Sequence, residues 1–188
     1  MSTIEDGVSA GIADRIGVER QARGWTLDQL AERSGVSRAM ISKIERRESS
    51  PTAAILVRLA SAFDLTIAAL LAEAEAPAER LVRAADQPLW RDPASGYRRR
   101  QLFQRPDHPV ELVRVELPPG ARVGFPAASY ARIRQVVWVL LGDLTIIEGD
   151  ERSELGPGDC LGFGAPTDAV FANETASTCV YLVAVSRS

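Results

Sequence analysis

The stretch Trp25 to Arg47 reads W-T-L-D-Q-L-A-E-R-S-G-V-S-R-A-M-I-S-K-I-E-R-R. Thr26 followed three residues later by Gln29 is a capping box, and Trp25 ahead of the cap is placed to staple onto Leu30. A helix therefore starts at Leu27 and carries Leu27, Leu30, Ala31 and Ser34 on one face. Gly35 supplies the positive-φ position that ends it. Ser37 caps a second helix almost at once. Val36 and Ile41 repeat the staple relation, and Ile41 with Ile44 forms an apolar stripe at helical spacing. Two short helices meeting across a turn of a few residues have the spacing of a helix-turn-helix.

The outer face of the second helix gives the hairpin its chemistry. Arg38, Ser42, Lys43, Arg46 and Arg47 leave the apolar stripe free and point outward. From Arg33 to Arg47 five cations (Arg33, Arg38, Lys43, Arg46, Arg47) stand against Glu45 alone, an excess of four in a chain of net charge −3. A basic stripe on one helix is the electrostatic footprint of phosphate binding.

Working outward, a first helix is predicted from about Ser9 or Gly11 to Arg23, with Ile12, Ala13 and Ile16 as its apolar edge. Arg20, one turn beyond Ile16, either turns inward to pair with a carboxylate such as Glu45 or faces solvent or phosphate. Ser50-Pro51-Thr52 opens a fourth helix with Pro in its first turn, and Ile55, Leu56, Leu59, Ala60 and Phe63 form its apolar face. Thr66 caps a fifth, with Leu65 and Leu70 as a staple pair. Five short helices, each apolar on one side, bury those sides against each other in an all-α domain, residues 9–72. A segment A-E-A-E-A-P-A-E-R follows, and residues 73–88 read as a linker.

From there to Ser188 the pattern is strand-like. Strands are predicted at Val110 to Leu117, Ile133 to Leu141, Leu144 to Glu148, Cys160 to Phe163, Ala169 to Ala172 and Thr178 to Val185. Turns at Pro118-Pro119-Gly120, Leu141-Gly142-Asp143, Glu148-Gly149-Asp150 and Gly156-Pro157-Gly158-Asp159 separate most of them, which indicates an all-β sandwich or barrel over 89–188. Along the Ile133 strand, Ile133, Gln135, Val137 and Val139 share one face and Val136, Trp138 and Leu140 the other. Both faces are apolar, so the outer one needs cover from a partner subunit or from a second layer of this chain. Cys160 and Cys179 have neither zinc spacing nor a disulfide framework and read as buried free thiols. With no signal segment and no run of about 18 apolar residues, the chain reads as soluble and cytoplasmic, with no membrane association.

The first half resembles the Xre family of phage-repressor-like regulators, in the form R-x-x-R-G-W-T-L-x-x-L-A-x-x-S-G-V-S-x-x-x-I-S-K-I-E-R-x-E-S-S-P-T, over roughly Gly11 to Leu71. Arg47 departs from it, standing where the family usually has Gly. The second half resembles a cupin, the double-stranded β-helix barrel often fused behind such a domain. The likeness rests on L-P-P-G-A at Leu117 to Ala121, V-W-V-L-L-G-D-L at Val137 to Leu144, L-G-P-G-D at Leu155 to Asp159, and Asn173. The cupin resemblance implies metal-ligand positions, and this chain does not fill them. Gln135 stands at the usual Glu, Ala128 and Tyr130 (or Ser129 and Ala131) at the His-x-His pair, and Ala169 at the remaining His. Imidazole and carboxylate are what Zn, Fe or Mn needs here. No metal, no cofactor and no enzymatic activity are therefore expected, and His108, the single histidine, reads as a loop residue.

The resemblances imply a sequence-specific DNA-binding transcriptional regulator acting as a homodimer on a double-stranded operator. Thr26 and Arg46 are expected to hold phosphates, and Arg38, Ala39, Ser42 and Lys43 to face base edges. The metal-free barrel is expected to sense a small-molecule effector, to dimerise, or both. Its candidate ligand residues are Arg114, Tyr130, Arg134 and Gln135, with Phe125, Phe163 and Phe171 as apolar walls. The alternatives are a protein-interaction or antitoxin-type module using the same helical domain, and a cupin enzyme with an accessory DNA-binding domain.

Overall fold

A computed structural model describes residues 3–71, 80–105, 108–131 and 133–187. It separates into two compact units, Met1–Pro77 and Ala78–Ser188. Of the expected linker, residues 73–79 lie outside the described residues, and Ala84–Asp86 forms a single 3₁₀ turn ahead of the first strand.

The helical unit comprises α1 (Thr3–Ala22), α2 (Leu27–Ser34), α3 (Arg38–Glu45), α4 (Ala53–Ala62) and α5 (Ile67–Leu71). Helix α1 begins well before Ser9. The sequence before Ser9 has too few apolar residues to show a periodicity. The capping box at Thr26 forms in both directions, with Oγ1 accepting from the Gln29 amide at 3.2 Å and Gln29 Oε1 accepting from the Thr26 amide at 2.8 Å. Gly35, at φ 66°, ends α2, and Ser37 Oγ caps α3 by accepting from the Met40 amide at 3.3 Å. Thr52 caps α4, so Pro51 sits ahead of the cap rather than inside the first turn. Trp25 stacks on Phe63 with ring centroids 5.9 Å apart, while the Arg33 guanidinium lies 4.5 Å from the indole. The core is built from Ile12, Ile16, Leu30, Ile41, Ile44, Leu56, Leu59 and Leu70.

The second unit contains β1 (Leu89–Arg91), β2 (Arg98–Phe103), β3 (Val110–Leu117), β4 (Arg122–Phe125), β5 (Ile133–Leu141), β6 (Leu144–Glu148), β7 (Glu151–Leu155), β8 (Cys160–Gly162), β9 (Ala169–Ala172) and β10 (Cys179–Arg187). A six-stranded sheet has the order β1-β2-β3-β10-β5-β8 and a four-stranded sheet the order β4-β9-β6-β7, every pairing antiparallel. Their inner faces meet where Phe171 of β9 stacks on Tyr181 of β10 at 5.8 Å. Strands β1, β2, β4 and β7 were not predicted: β1 and β4 are only three and four residues long, and β2 and β7 do not alternate polar with apolar residues. Strand β2 is R-R-R-Q-L-F, with Arg99 and Gln101 turned inward.

Two short features close the sandwich. Gly142 adopts φ 72° in the turn between β5 and β6, where a Cβ would stand 2.9 Å from the Thr178 carbonyl oxygen, so only glycine fits. Asn173, just after β9, is 1% exposed. Its Nδ2 donates to the carbonyls of Leu117 at 2.9 Å and Ser177 at 2.7 Å, and its Oδ1 accepts from the Thr175 amide at 3.0 Å and hydroxyl at 2.8 Å. The cysteines differ: Cys160 is exposed, against expectation, because it lies on the outer side of the short edge strand β8. Cys179 is buried, and burial pushes its thiol up to about 11. Replacing Asn173 by Ala strands the buried Leu117 carbonyl and releases the Thr175–Ser177 turn. It should lower the unfolding free energy by about 2 to 4 kcal/mol in a urea titration, with the m-value unchanged.

Candidate nucleic-acid interface and barrel interior

At about 100° per residue, Arg38, Ser42, Arg46, Ala39 and Lys43 fall within one sector of α3, opposite the buried Ile41 and Ile44. Thr26, Arg38, Ala39, Lys43 and Arg46 are exposed and Ser42 is half-buried, so every residue expected to meet DNA is at the surface. The fold also brings carboxylates to the stripe that the local charge count leaves out. Arg38 is 3.4 Å from Asp28, Arg46 is 2.9 Å from Glu48, and Arg47 is 2.6 Å from Asp14. Exposed pairs of this kind contribute roughly 0 to 1 kcal/mol, so phosphate oxygens can replace the carboxylates at small cost. Among the described residues Lys43 has no carboxylate partner.

Two arginines position α3 from behind. Arg20 on α1 turns inward: its Nε donates to Glu45 Oε1 at 2.7 Å, one terminal nitrogen to Glu45 Oε2 at 2.8 Å and the other to the Trp25 carbonyl at 2.9 Å. The hydrogen bonds that Arg20 donates to Glu45 favour its charged guanidinium against the opposing effect of burial. Arg47 occupies the left-handed region at φ 61°. Its amide donates to the Ile44 carbonyl, and that of Glu48 to the Lys43 carbonyl, both at 2.8 Å. This is a Schellman end with arginine at the position glycine favours. The departure is explained by the side chain, which reaches Asp14 of α1.

In the β unit, strand parity sorts the expected ligand residues into two groups. Tyr130 and Gln135 are buried on the interior side. Arg134, adjacent to Gln135, therefore points to the opposite face, where it donates to the Ile133 carbonyl. Arg114 lies on the outer face of β3 against Glu116. Neither arginine joins Tyr130 and Gln135, so both are withdrawn from the interior site. The aromatic walls do assemble: Phe163 is 5.6 Å from Tyr130 and 5.8 Å from Phe171, and Phe125 is 5.4 Å from Phe171. Burial raises the Tyr130 and Tyr181 phenols, so both stay neutral. The interior also holds Trp90, Tyr97, Arg99 and Gln101, which the sequence reading missed, and Glu111, which alternation along β3 places on the face of Val113, Val115 and Leu117. The signal of Arg99 and Gln101, polar residues at alternate positions of R-R-R-Q, resembles that of a solvated loop.

The metal positions that the cupin resemblance implies hold Gln135, Ala169 and either Ala128 with Tyr130 or Ser129 with Ala131, and neither set has the imidazole or carboxylate that Zn, Fe or Mn needs. Among the described residues no three His, Cys, Asp or Glu side chains converge on one point. His108 is exposed in the loop before β3, where its Nδ1 accepts from the Val110 amide at 3.1 Å. Among the described residues no helix is long and apolar enough to cross a membrane.

Fold and surface define a two-domain protein, a five-helix helix-turn-helix domain followed by a cupin-like β-sandwich. Residues 15–70 match the helix-turn-helix family model HTH_3. The HTH-type transcriptional regulator SutR of Escherichia coli is 54% identical over 46 residues, a stretch covering 24% of this chain and 26% of SutR. The crystal structure of an HTH_3 family transcriptional regulator from Vibrio cholerae shares the fold across 98% of this chain and 99% of that one, with TM-score 0.79 and 24% identity. The β unit shares its fold with a predicted oxalate decarboxylase from Thermotoga maritima, at TM-score 0.50 and 14% identity over 57% of this chain and 99% of that one. The helical domain is thus of the HTH_3 helix-turn-helix type, and the β unit has a cupin-like fold. At its Schellman end, Arg47→Gly should exceed Arg47→Ala in stability by about 1 kcal/mol in thermal unfolding. Both variants lose the Asp14 pair, and only alanine keeps a Cβ at positive φ.

Proposed function

We propose that this chain is a sequence-specific DNA-binding transcriptional regulator of the cytoplasm. It acts as a homodimer on a pseudo-palindromic operator, with half-sites about one helical turn apart. The helical domain (9–72) binds DNA, and the barrel (89–188), joined through 73–88, senses a small molecule and pairs the subunits. The observation that carries the reading is the continuous cationic sector of α3, exposed opposite Ile41 and Ile44 on a helix held from behind by Arg20. Local identity to SutR supports it. Thr26 and Arg46 hold phosphates. Arg38 and Lys43 read guanine edges, Ser42 donates or accepts, and Ala39 meets a thymine methyl.

The sheet supports the dimer. Val136, Trp138, Leu140 and Leu141 are exposed, and the neighbouring Leu182 and Ala184 of β10, paired with Trp138 and Val136, extend the apolar strip. An isologous contact with a second copy covers such a strip and presents two α3 helices to two half-sites.

Binding to the protein's own upstream region, followed by fluorescence anisotropy across a salt series, should give a linear fall of log K with log salt. Arg38→Ala should cost about 1 to 3 kcal/mol and relax preference at one base pair. Salt-insensitive or absent DNA binding would favour the interaction-module reading instead. In sedimentation velocity, Trp138→Glu should convert the dimer to a folded monomer and weaken operator binding at least tenfold.

A further inference from the structure

The interior face of the six-stranded sheet gathers polar groups that the fold leaves poorly satisfied. Trp90 Nε1, Arg99 Nε, Gln101 Oε1, Ser129 Oγ, Tyr130 Oη and Gln135 Nε2 are all buried and, among the described residues, make no hydrogen bond of good geometry, although Tyr130 and Gln135 lie close enough to interact with each other. Cross-strand register puts Trp90, Arg99, Gln101 and Gln135 on one face. Trp90 pairs with Arg99, Arg99 with Val115, Val115 with Tyr181 and Tyr181 with Val139. Gln101 lies in the adjoining inward row with Val113, Val183 and Val137, and Gln135 in the next with Val185 and Glu111.

The chemistry of this set is lopsided. Three of the six atoms can only donate (Trp90 Nε1, Arg99 Nε, Gln135 Nε2), two are hydroxyls that can donate or accept, and only Gln101 Oε1 is restricted to accepting. A ligand that satisfies them presents mainly acceptors. Arg99 is 9% exposed and, among the described residues, forms no ion pair with a carboxylate. Its neighbour is the buried Tyr97, whose phenol is raised by burial and lowered by Arg99. Glu111, on the same face beyond Gln101, is already engaged elsewhere. An unpaired buried cation calls for an anion. Beside it, Tyr130, Phe163, Phe171 and Tyr181 form a continuous aromatic array with successive centroids 5.6, 5.8 and 5.8 Å apart.

We propose that the barrel interior binds a small monocarboxylate with an aromatic or apolar body. Its carboxylate sits on Arg99 and Trp90 Nε1, its body lies along the Tyr130–Phe163–Phe171–Tyr181 array, and any second acceptor reaches Tyr130 and Gln135. This rests on the reading of the barrel as a sensor and names the ligand class and the anion-binding residue, which sits on β2 rather than at Arg114 or Arg134. The ligand gains hydrogen bonds from donors already stripped of solvent by folding, so little further desolvation opposes binding.

The test uses the full chain and a probe panel of benzoate, phenylacetate and 3-phenylpropionate, their three amides, and inorganic phosphate. Thermal shift and calorimetry are read at 150 mM salt. At least one carboxylate should raise Tm by roughly 3 °C at ten times its Kd, with the amides and phosphate inactive. Arg99→Gln should weaken that binding at least tenfold, while Arg100→Gln, on the outer face of the same strand, should leave it unchanged. Should Arg99→Gln fail to fold, Gln135→Leu and Trp90→Phe serve in its place, each lowering affinity at least threefold. Equal response to amides or phosphate, no response to any carboxylate, or an unchanged Kd in the interior variants overturns the proposal. Operator affinity measured with and without the bound carboxylate separates the two readings. Carboxylate binding that leaves DNA affinity unchanged defeats the sensor reading and keeps the ligand assignment. DNA affinity that responds to a neutral compound alone does the reverse.

Discussion

Helices α2 and α3 have eight residues each, and helices of that length do not persist in water by themselves. The cationic face therefore exists only because other elements hold it. Burial of Ile41 and Ile44 supplies most of the attraction, but apolar contacts are non-directional and tolerate some roll of a short helix about its axis. The two-pronged bond from Arg20 to Glu45 is directional. Glu45 sits at the inner border of the cationic sector, so fixing its carboxylate fixes which way Arg38, Ala39, Ser42 and Lys43 point. A well-packed apolar pair can match the stability of such a bond but does not set that angle. The third bond, to the Trp25 carbonyl, ties the same guanidinium to the turn before α2.

In the β unit the governing constraint is the two-residue period of a strand. One step along the chain reverses the face, so Gln135 and Arg134 serve different surfaces although they are neighbours. The same rule makes β5 apolar on both sides: Val137 and Val139 are buried inside, while Val136, Trp138 and Leu140 are exposed outside. It also places Arg99 and Gln101 inside with Arg98 and Arg100 outside, in a strand whose letters alone suggest a surface segment.

Legibility followed the type of signal. Caps and turns were readable because their chemistry is local: Thr26 with Gln29, Gly35, Ser37, Thr66 and the glycine turns need only a few residues to be recognised. Strands β3, β5, β6 and β9 were readable with their ends because hydrophobic residues mark them. Strand β2 was not, since its inward positions are polar, and β7 was not, since E-R-S-E-L turns only Leu155 into the core. The exposed sector of α3 could be read from helical spacing, whereas the carboxylates of Asp14 and Asp28 beside it depend on tertiary placement. Arg47 was visible only as an anomaly, and its cause, Asp14, lies 33 residues away.

The two domains use arginine under opposite conditions, and the difference follows from solvent. On α3 the guanidinium groups keep their hydration and exchange one weak carboxylate partner for another oxyanion, so screening by salt governs what they bind. Arg99 has lost its hydration on folding and sits against neutral phenols and an indole. The low dielectric that makes its isolation costly also strengthens any charge that reaches it. An oxyanion at the surface site is held by many such exchangeable contacts, so affinity there scales with their number. At the proposed interior site one cation, with a few oriented donors, would decide between a charged and a neutral ligand of the same shape.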